Sequence, residues 1–226
     1  MKVTRVEELF KEKEMRVGSK FPDISVKATN ADGDDLNINL SKPQTPTVLF
    51  WYPKDFTFVC PTELFEFQAK LKDFNDRGYQ VFGASCDTAE VHFAWLNTAK
   101  EDGGIEGVEY PILADSRRKL AKKLNILDYE TEYFYNEEDD DDDEKVIQDG
   151  DNVTYRATYL IDGDGRIFHQ SVNDMPLGRN VDELLRLIDA KAHVDEKGEV
   201  CPAGWNKGDT AMEATREGVK NYLSNE

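Results

Sequence analysis

Cysteine is scarce in this chain. Cys60, Cys86 and Cys201 stand far apart, and no Cys-x-x-Cys pair occurs, which excludes a zinc ribbon and a dithiol redox motif. The three histidines, His92, His169 and His193, are scattered without ligand spacing. They read as surface or packed residues, and no metal or other cofactor is expected. Positive charge is also in deficit: 28 Lys and Arg against 46 Asp and Glu leave a net charge of -18. That balance excludes nucleic acid and anionic membrane as partners. No apolar run approaches the ~20 residues of a membrane span. The start, Met1 to Phe10, has no apolar signal core and contains acids, so neither a secretory signal nor a transit peptide is expected there. Separated cysteines without a bridging pattern fit a reducing, cytoplasmic setting. Internal repeats are absent.

What is present is a chain of 226 residues, 39% hydrophobic, enough for one large domain with a core. Residues 1–16 form a charged extension. Ile24–Ala28 and Leu36–Leu40 alternate around the turn Asn30–Asp35 and predict a β-hairpin. Thr47–Tyr52 is an apolar run that reads as a buried strand. Leu64, Phe67, Leu71 and Phe74 then recur at helical spacing, and that helix stops near Arg77-Gly78. Further on come a strand over Tyr79–Ser85, a helix over Glu90–Lys100 with Val91, Ala94 and Trp95 inward, a loop at Gly103–Gly107, a strand over Tyr110–Leu113 and a helix over Ser116–Leu124. Thr154–Ile161 and Arg166–Val172 predict a second hairpin about Asp162–Gly165. Asn180-Val181-Asp182-Glu183 resembles a capping box opening a helix to Ala192. Gly198–Glu226 reads as an extended arm with a short helix near its end. Strands alternating with helices predict an α/β layered fold with a central mixed sheet. An eight-residue acidic run, Glu137–Glu144, interrupts this order inside an insertion over 136–150. Like charges at that density predict a solvated loop.

One stretch carries chemistry. Trp51 to Glu63 takes a strand through a loop and delivers Cys60-Pro61 to a predicted helix start, with Pro61 at the first helical position. Backbone N–H groups and the helix dipole there favour a negative charge, a placement that lowers a thiol pKa. The hydroxyl of Thr57 could reach back toward the sulfur. Two readings stay open on these residues alone: a nucleophile, and a buried structural cysteine at a helix start. Arg156 sits inside the apolar alternation of Val153–Ile161, where it either snorkels outward or aims its guanidinium at an anion such as a thiolate. Glu63 could orient it through a charge-assisted pair. Cys201, on the arm, is expected to be accessible. Cys86, ending a strand, reads as a small buried hydrophobe. Asp162-Gly163-Asp164-Gly165 lacks the later ligands of a calcium loop, and Gly103–Gly107 lacks the lysine of a phosphate loop.

Taken together these residues resemble the typical two-cysteine peroxiredoxins, the family of alkyl hydroperoxide reductase C. Pro53-x-x-x-Thr57-x-x-Cys60 and its extension Pro61-Thr62-Glu63 match the family signature. His92-Phe93-Ala94-Trp95, Pro111–Asp115, Asn173–Arg179 and Val200–Trp205 also look like the family, so the resemblance runs from about Val17 onward. It implies a thioredoxin-like fold over 17–197 and an arm over 198–226 carrying the second cysteine. By resemblance, Cys60 would attack a peroxide and become a sulfenic acid, and Pro53 would shield it. Thr57 would hydrogen-bond thiolate and peroxide. Arg156 would stabilise both, with Glu63 and Arg179 holding the network. Cys201 of the other subunit would close an intersubunit disulfide, reduced in turn by thioredoxin or a flavoprotein disulfide reductase. The resemblance further implies a homodimer that assembles into a decamer, and no cofactor beyond the thiols. A binding role, as a holdase chaperone or a peroxide-sensing relay, is the alternative and is compatible with the first. The chain departs from the over-oxidation-sensitive members at Gly103-Gly104-Ile105-Glu106-Gly107 and Tyr222-Leu223, so a looser arm and a robust enzyme are expected.

Overall fold

A computed structural model describes residues 15–128, 130–134, 145–149 and 151–224. The acidic run at 137–144 lies outside them. A strand lies on either side of that run, the first before the insertion expected over 136–150 and the second inside it. β6 (Glu130–Phe134) and β7 (Lys145–Asp149) pair antiparallel as a separate two-stranded ribbon.

The main sheet has seven strands. They are β1 (Val26–Thr29), β2 (Leu36–Ile38), β3 (Thr47–Trp51), β4 (Gln80–Ser85), β5 (Ile112–Ala114), β8 (Arg156–Ile161) and β9 (Ile167–Asn173), in the spatial order β2-β1-β5-β4-β3-β8-β9. β3, β4 and β5 run parallel, and the two hairpins add antiparallel strands at both sides. This is the mixed sheet that the strand–helix order predicts. The helices are α1 (Cys60–Ala69), α2 (Leu71–Asp76), α3 (Ala89–Leu96), α4 (Lys119–Leu124), α5 (Val181–Lys197) and α6 (Arg216–Ser224).

Buried on both faces, β3 is apolar at every position but Thr47, as a central strand requires. Its side chains alternate between two cores. Leu49 and Trp51 join the core under α4, with Phe82, Ala84, Leu120 and Tyr159. Val48, Phe50 and the following Tyr52 join the core under α1, α2, α3 and α5, with Cys60, Leu64, Phe67, Trp95 and Leu184. The Phe50 and Phe67 rings stack at 3.8 Å and 5°. Burying each such ring stabilises the fold by about 1.5–3 kcal/mol, and this pair seats α1 on β3. Cys60 is therefore positioned by the core itself.

Several expected boundaries move. The helix expected to run to Arg77-Gly78 is two helices, because Lys70 leaves helical geometry (φ -99, ψ 2) and its ammonium pairs with Asp182 at 2.7 Å. On α3 the inward stripe is His92, Trp95 and Leu96, while Val91 and Ala94 face out. The helix is also shorter than Glu90–Lys100, and a 3-10 turn over Lys100–Asp102 follows it. Gly104 is required there, since a Cβ would sit 1.9 Å from the Thr98 carbonyl oxygen. Asn180 does cap α5, accepting from the N–H groups of Asp182 and Glu183. Glu183, however, pairs with Arg186 rather than closing a capping box. That helix continues past Ala192 to Lys197, ending at Gly198 with φ +69.

Candidate active site

Cys60 is the first residue of α1, with Val59 as its N-cap. Pro61 thus holds the second helical position rather than the first, and its missing N–H is still one of those without an intrahelical partner. The cysteine is 1% exposed. Arg156, the first residue of β8, approaches from the sheet: its Nη1 lies 3.5 Å from the Cys60 Sγ. Of the two outcomes open for Arg156, snorkelling is excluded, because the residue is buried.

Two further contacts hold that guanidinium in place. Arg156 Nη1 donates to Glu63 Oε2 at 2.6 Å, and Nε donates to the Met175 carbonyl at 2.6 Å. Glu63 follows Cys60 by three residues, so it lies about one turn along the same face of α1. It also accepts from Arg179: Nε and the backbone N–H reach Oε1 at 2.8 and 3.1 Å, and Nη2 reaches Oε2 at 2.8 Å. One buried carboxylate is thus shared by two buried arginines. Arg179 completes its own shell on the Ala157 carbonyl at 3.0 Å and over the Phe50 ring at 5.1 Å. Burial pulls the Arg179 guanidinium below its usual range, and the Glu63 carboxylate opposes that shift. Arg156 thus faces both the Glu63 carboxylate and the Cys60 sulfur, while Arg179 shares the same carboxylate, so buried guanidinium donors sit beside the sulfur where an oxygen-rich substrate could be bound.

Sequence-expected residues on the preceding loop are placed differently. Pro53 is buried. Thr57 is part-exposed, and its hydroxyl donates to the Lys54 carbonyl at 2.9 Å rather than reaching the sulfur. A backbone acceptor three residues back competes successfully for a threonine hydroxyl. Cys201 is on the arm as expected but is half-buried, its Sγ 3.7 Å from the Ala190 carbonyl on α5. Burial pushes its thiol up, with Arg186 opposing. Cys86 is buried beyond the end of β4, and burial, aided by Asp115, pushes its thiol up to about 12. All three cysteines are free.

One polar cluster was not legible in the sequence. His92 is buried with Nδ1 2.7 Å from Asp55 Oδ2 and Nε2 3.2 Å from the Leu113 carbonyl oxygen. Tyr52 donates its hydroxyl to Asp55 Oδ1 at 2.8 Å. Burial pushes both the Asp55 carboxyl and the Tyr52 phenol up. Among the described residues, no cluster of His, Cys, Asp and Glu could hold a metal ion, and no helix is long and apolar enough to cross a membrane.

Known proteins share this architecture. The AhpC/TSA family matches residues 17–170, and the C-terminal domain of 1-Cys peroxiredoxin matches residues 192–225. The chain is 41% identical over 212 residues to alkyl hydroperoxide reductase C of Helicobacter pylori, covering 92% of this chain and 96% of that protein. It is 38% identical to peroxiredoxin-2 of Macaca fascicularis, covering 92% and 96%. A reduced 2-Cys peroxiredoxin of Plasmodium vivax superposes with a TM-score of 0.79 at 34% identity, covering 92% of this chain and 98% of the other. Neighbours of that kind have the thioredoxin-like fold. The sheet, the buried thiol at a helix start and these relatives agree: the chain belongs to the AhpC/TSA family of peroxiredoxins and is a thiol-dependent peroxidase.

Proposed function

We propose that Cys60 is the peroxide-reacting thiol and Cys201 of a second subunit its resolving partner. The observation that carries the first assignment is the 3.5 Å approach of Arg156 Nη1 to a sulfur at a helix start. Cys60 attacks as a thiolate on one oxygen of a hydroperoxide. The S–O bond forms, the O–O bond breaks, and the departing oxygen takes a proton to leave as water or an alcohol. Arg156 faces both the sulfur anion and the charge that develops on the departing oxygen, while Glu63 and Arg179 hold it there. Pro53 shields the pocket. Thr57 turns its hydroxyl from Lys54 to the peroxide when substrate enters.

The resulting sulfenic acid condenses with the Cys201 thiol, forming an S–S bond and releasing water. A disulfide needs Cα atoms within about 7 Å, so a thiol buried at the start of α1 reaches another only if that first turn unwinds. Arm mobility is supported by α6, which contributes no buried residue and leaves Leu223 62% exposed. It fits an enzyme that resolves before it over-oxidises. Thioredoxin or a flavoprotein disulfide reductase then returns both thiols by exchange. The domain over 17–197 carries the first thiol and the arm over 198–226 the second, in a homodimer that assembles into a decamer in the cytoplasm. Hydrogen peroxide and organic hydroperoxides are the substrates.

The assignment of Cys60 is tested in a Cys201→Ser protein treated with one equivalent of hydrogen peroxide in the presence of a sulfenic-acid trap. Mass spectrometry should find the trap on the Cys60 peptide. Trapping on Cys86 instead, or none at all, would overturn it.

A further inference from the structure

The loop before Cys60 is tied down at one end and left loose at the other. Tyr52 is anchored through its backbone: its N–H donates to the Ala84 carbonyl, and its carbonyl accepts from Thr154 Oγ1, both at 3.0 Å. Asp55 is anchored through side chain and backbone, to Tyr52, to His92, and by its own N–H to Asp87 Oδ2 at 3.0 Å. Asp87 is itself held by the Ser85 hydroxyl at 2.8 Å. The Leu113 carbonyl can only accept, so His92 Nε2 carries a hydrogen. Nδ1 faces a carboxyl oxygen, so a second proton lies between ring and Asp55 whichever group owns it. Both partners are buried, at 0% and 1% side-chain exposure. Low local dielectric makes such a filled network costly to break.

Everything changes at the next residue. Phe56 adopts the left-handed conformation, φ +52, which a non-glycine residue holds at a strain cost. From Phe56 to Val59 no backbone N–H donates a hydrogen bond among the described residues. Phe58 is 96% exposed. Downstream the chain is pinned again at Glu63 by Arg156 and Arg179. The loose stretch Phe56–Val59 and the first turn of α1, which begins at the buried Cys60, are therefore bracketed by two buried polar knots.

We propose that Asp55 and His92 are positioning residues of the peroxidase: their buried pair fixes the upstream boundary of the segment that unwinds, so only Phe56–Thr62 moves. This rests on the assignment of Cys60 and Cys201 above. While the pair holds, Cys60 is returned to Arg156 after each cycle. If the pair is lost, the segment opens more readily, so the sulfenic acid reaches the resolving thiol sooner but the closed site is less populated.

Two measurements test it. In reduced wild-type protein, hydrogen exchange should be fast over 56–62 and slow over 50–55. Equal exchange across both stretches overturns the boundary, and this needs no variant and no chemistry at sulfur. In Asp55→Ala, the peroxide dose giving half sulfinic Cys60 during turnover should rise about tenfold, while the rate of Cys60 oxidation falls by a similar factor, since two buried hydrogen bonds are lost. Asp55→Asn still accepts from Tyr52 and can donate to a neutral His92, so it should recover most of both effects. A purely structural loss would lower Tm and leave the ratio of disulfide to sulfinic acid unchanged, and that result overturns the proposal. Absence of any Cys60–Cys201 disulfide in wild type would instead remove the underlying assignment.

Discussion

Glu63→Gln is the sharpest perturbation of the site. The carboxylate accepts four hydrogen bonds: one from Arg156, and three from Arg179 counting its backbone N–H. Gln keeps the shape but replaces one accepting oxygen with an NH2 group, which then faces guanidinium donors. It also leaves two arginines, each with 4% side-chain exposure, without a counter-charge. Removing one partner from a buried ion pair costs about 3–5 kcal/mol. At about 2–4 °C per kcal/mol for a domain of this size, Tm should fall by roughly 6–20 °C. Protein concentration must be held constant because assembly shifts Tm. Arg156 should swing from its 3.5 Å contact with Cys60, so peroxide reactivity falls as well. Thermal denaturation and competition kinetics against a reference peroxidase read the two effects. A Tm within about 2 °C of wild type together with unchanged reactivity would refute the claim that this carboxylate holds the site.

Other outcomes follow from the same geometry. Arg156→Met removes one charge-assisted contact to the sulfur and should slow Cys60 oxidation about 10- to 100-fold, read by the same competition assay. Thr57→Ser should retain near-normal reactivity and Thr57→Val should lose about tenfold, the size of one hydrogen bond made to substrate; equal rates would remove Thr57 from the reaction. Cys86, pushed up to about 12, should resist iodoacetamide at pH 8, where only about one thiol in ten thousand is ionised. Its sign is simple: reactivity rises with pH throughout the working range, and alkylation at pH 8 as fast as a free thiol would contradict the burial.

The chemistry of the site was more legible than its geometry. Cys60 announced itself because a Cys-Pro after an apolar strand and before a helical repeat is a local pattern. Arg156 stood out because a charge inside an apolar strand must be explained. The Glu63 partnership was expected only as a charge-assisted pair that Arg156 would need, and the structure brings the two to 2.6 Å. Contacts between distant segments were not. His92 looked ordinary because its partner Asp55 is 37 residues away and because the inward face of α3 lies one residue round from the apolar pattern Val91, Ala94, Trp95. Thr57 was expected at the sulfur, but a hydroxyl settles on the nearest free carbonyl, here Lys54. The strands β6 and β7 were missed beside the acidic run, because each is only five residues long and their pairing joins segments separated by that run. Lys70 broke a helix that periodicity alone would have carried through.

The most direct test of the account is a non-reducing gel after one equivalent of hydrogen peroxide, with Cys60→Ser, Cys86→Ser and Cys201→Ser beside wild type. The account predicts a covalent dimer for wild type and Cys86→Ser, and monomers for the other two. A cross-linked Cys201→Ser protein, or a wild type that stays monomeric, would contradict a reaction that begins at Cys60 and is resolved across subunits by Cys201.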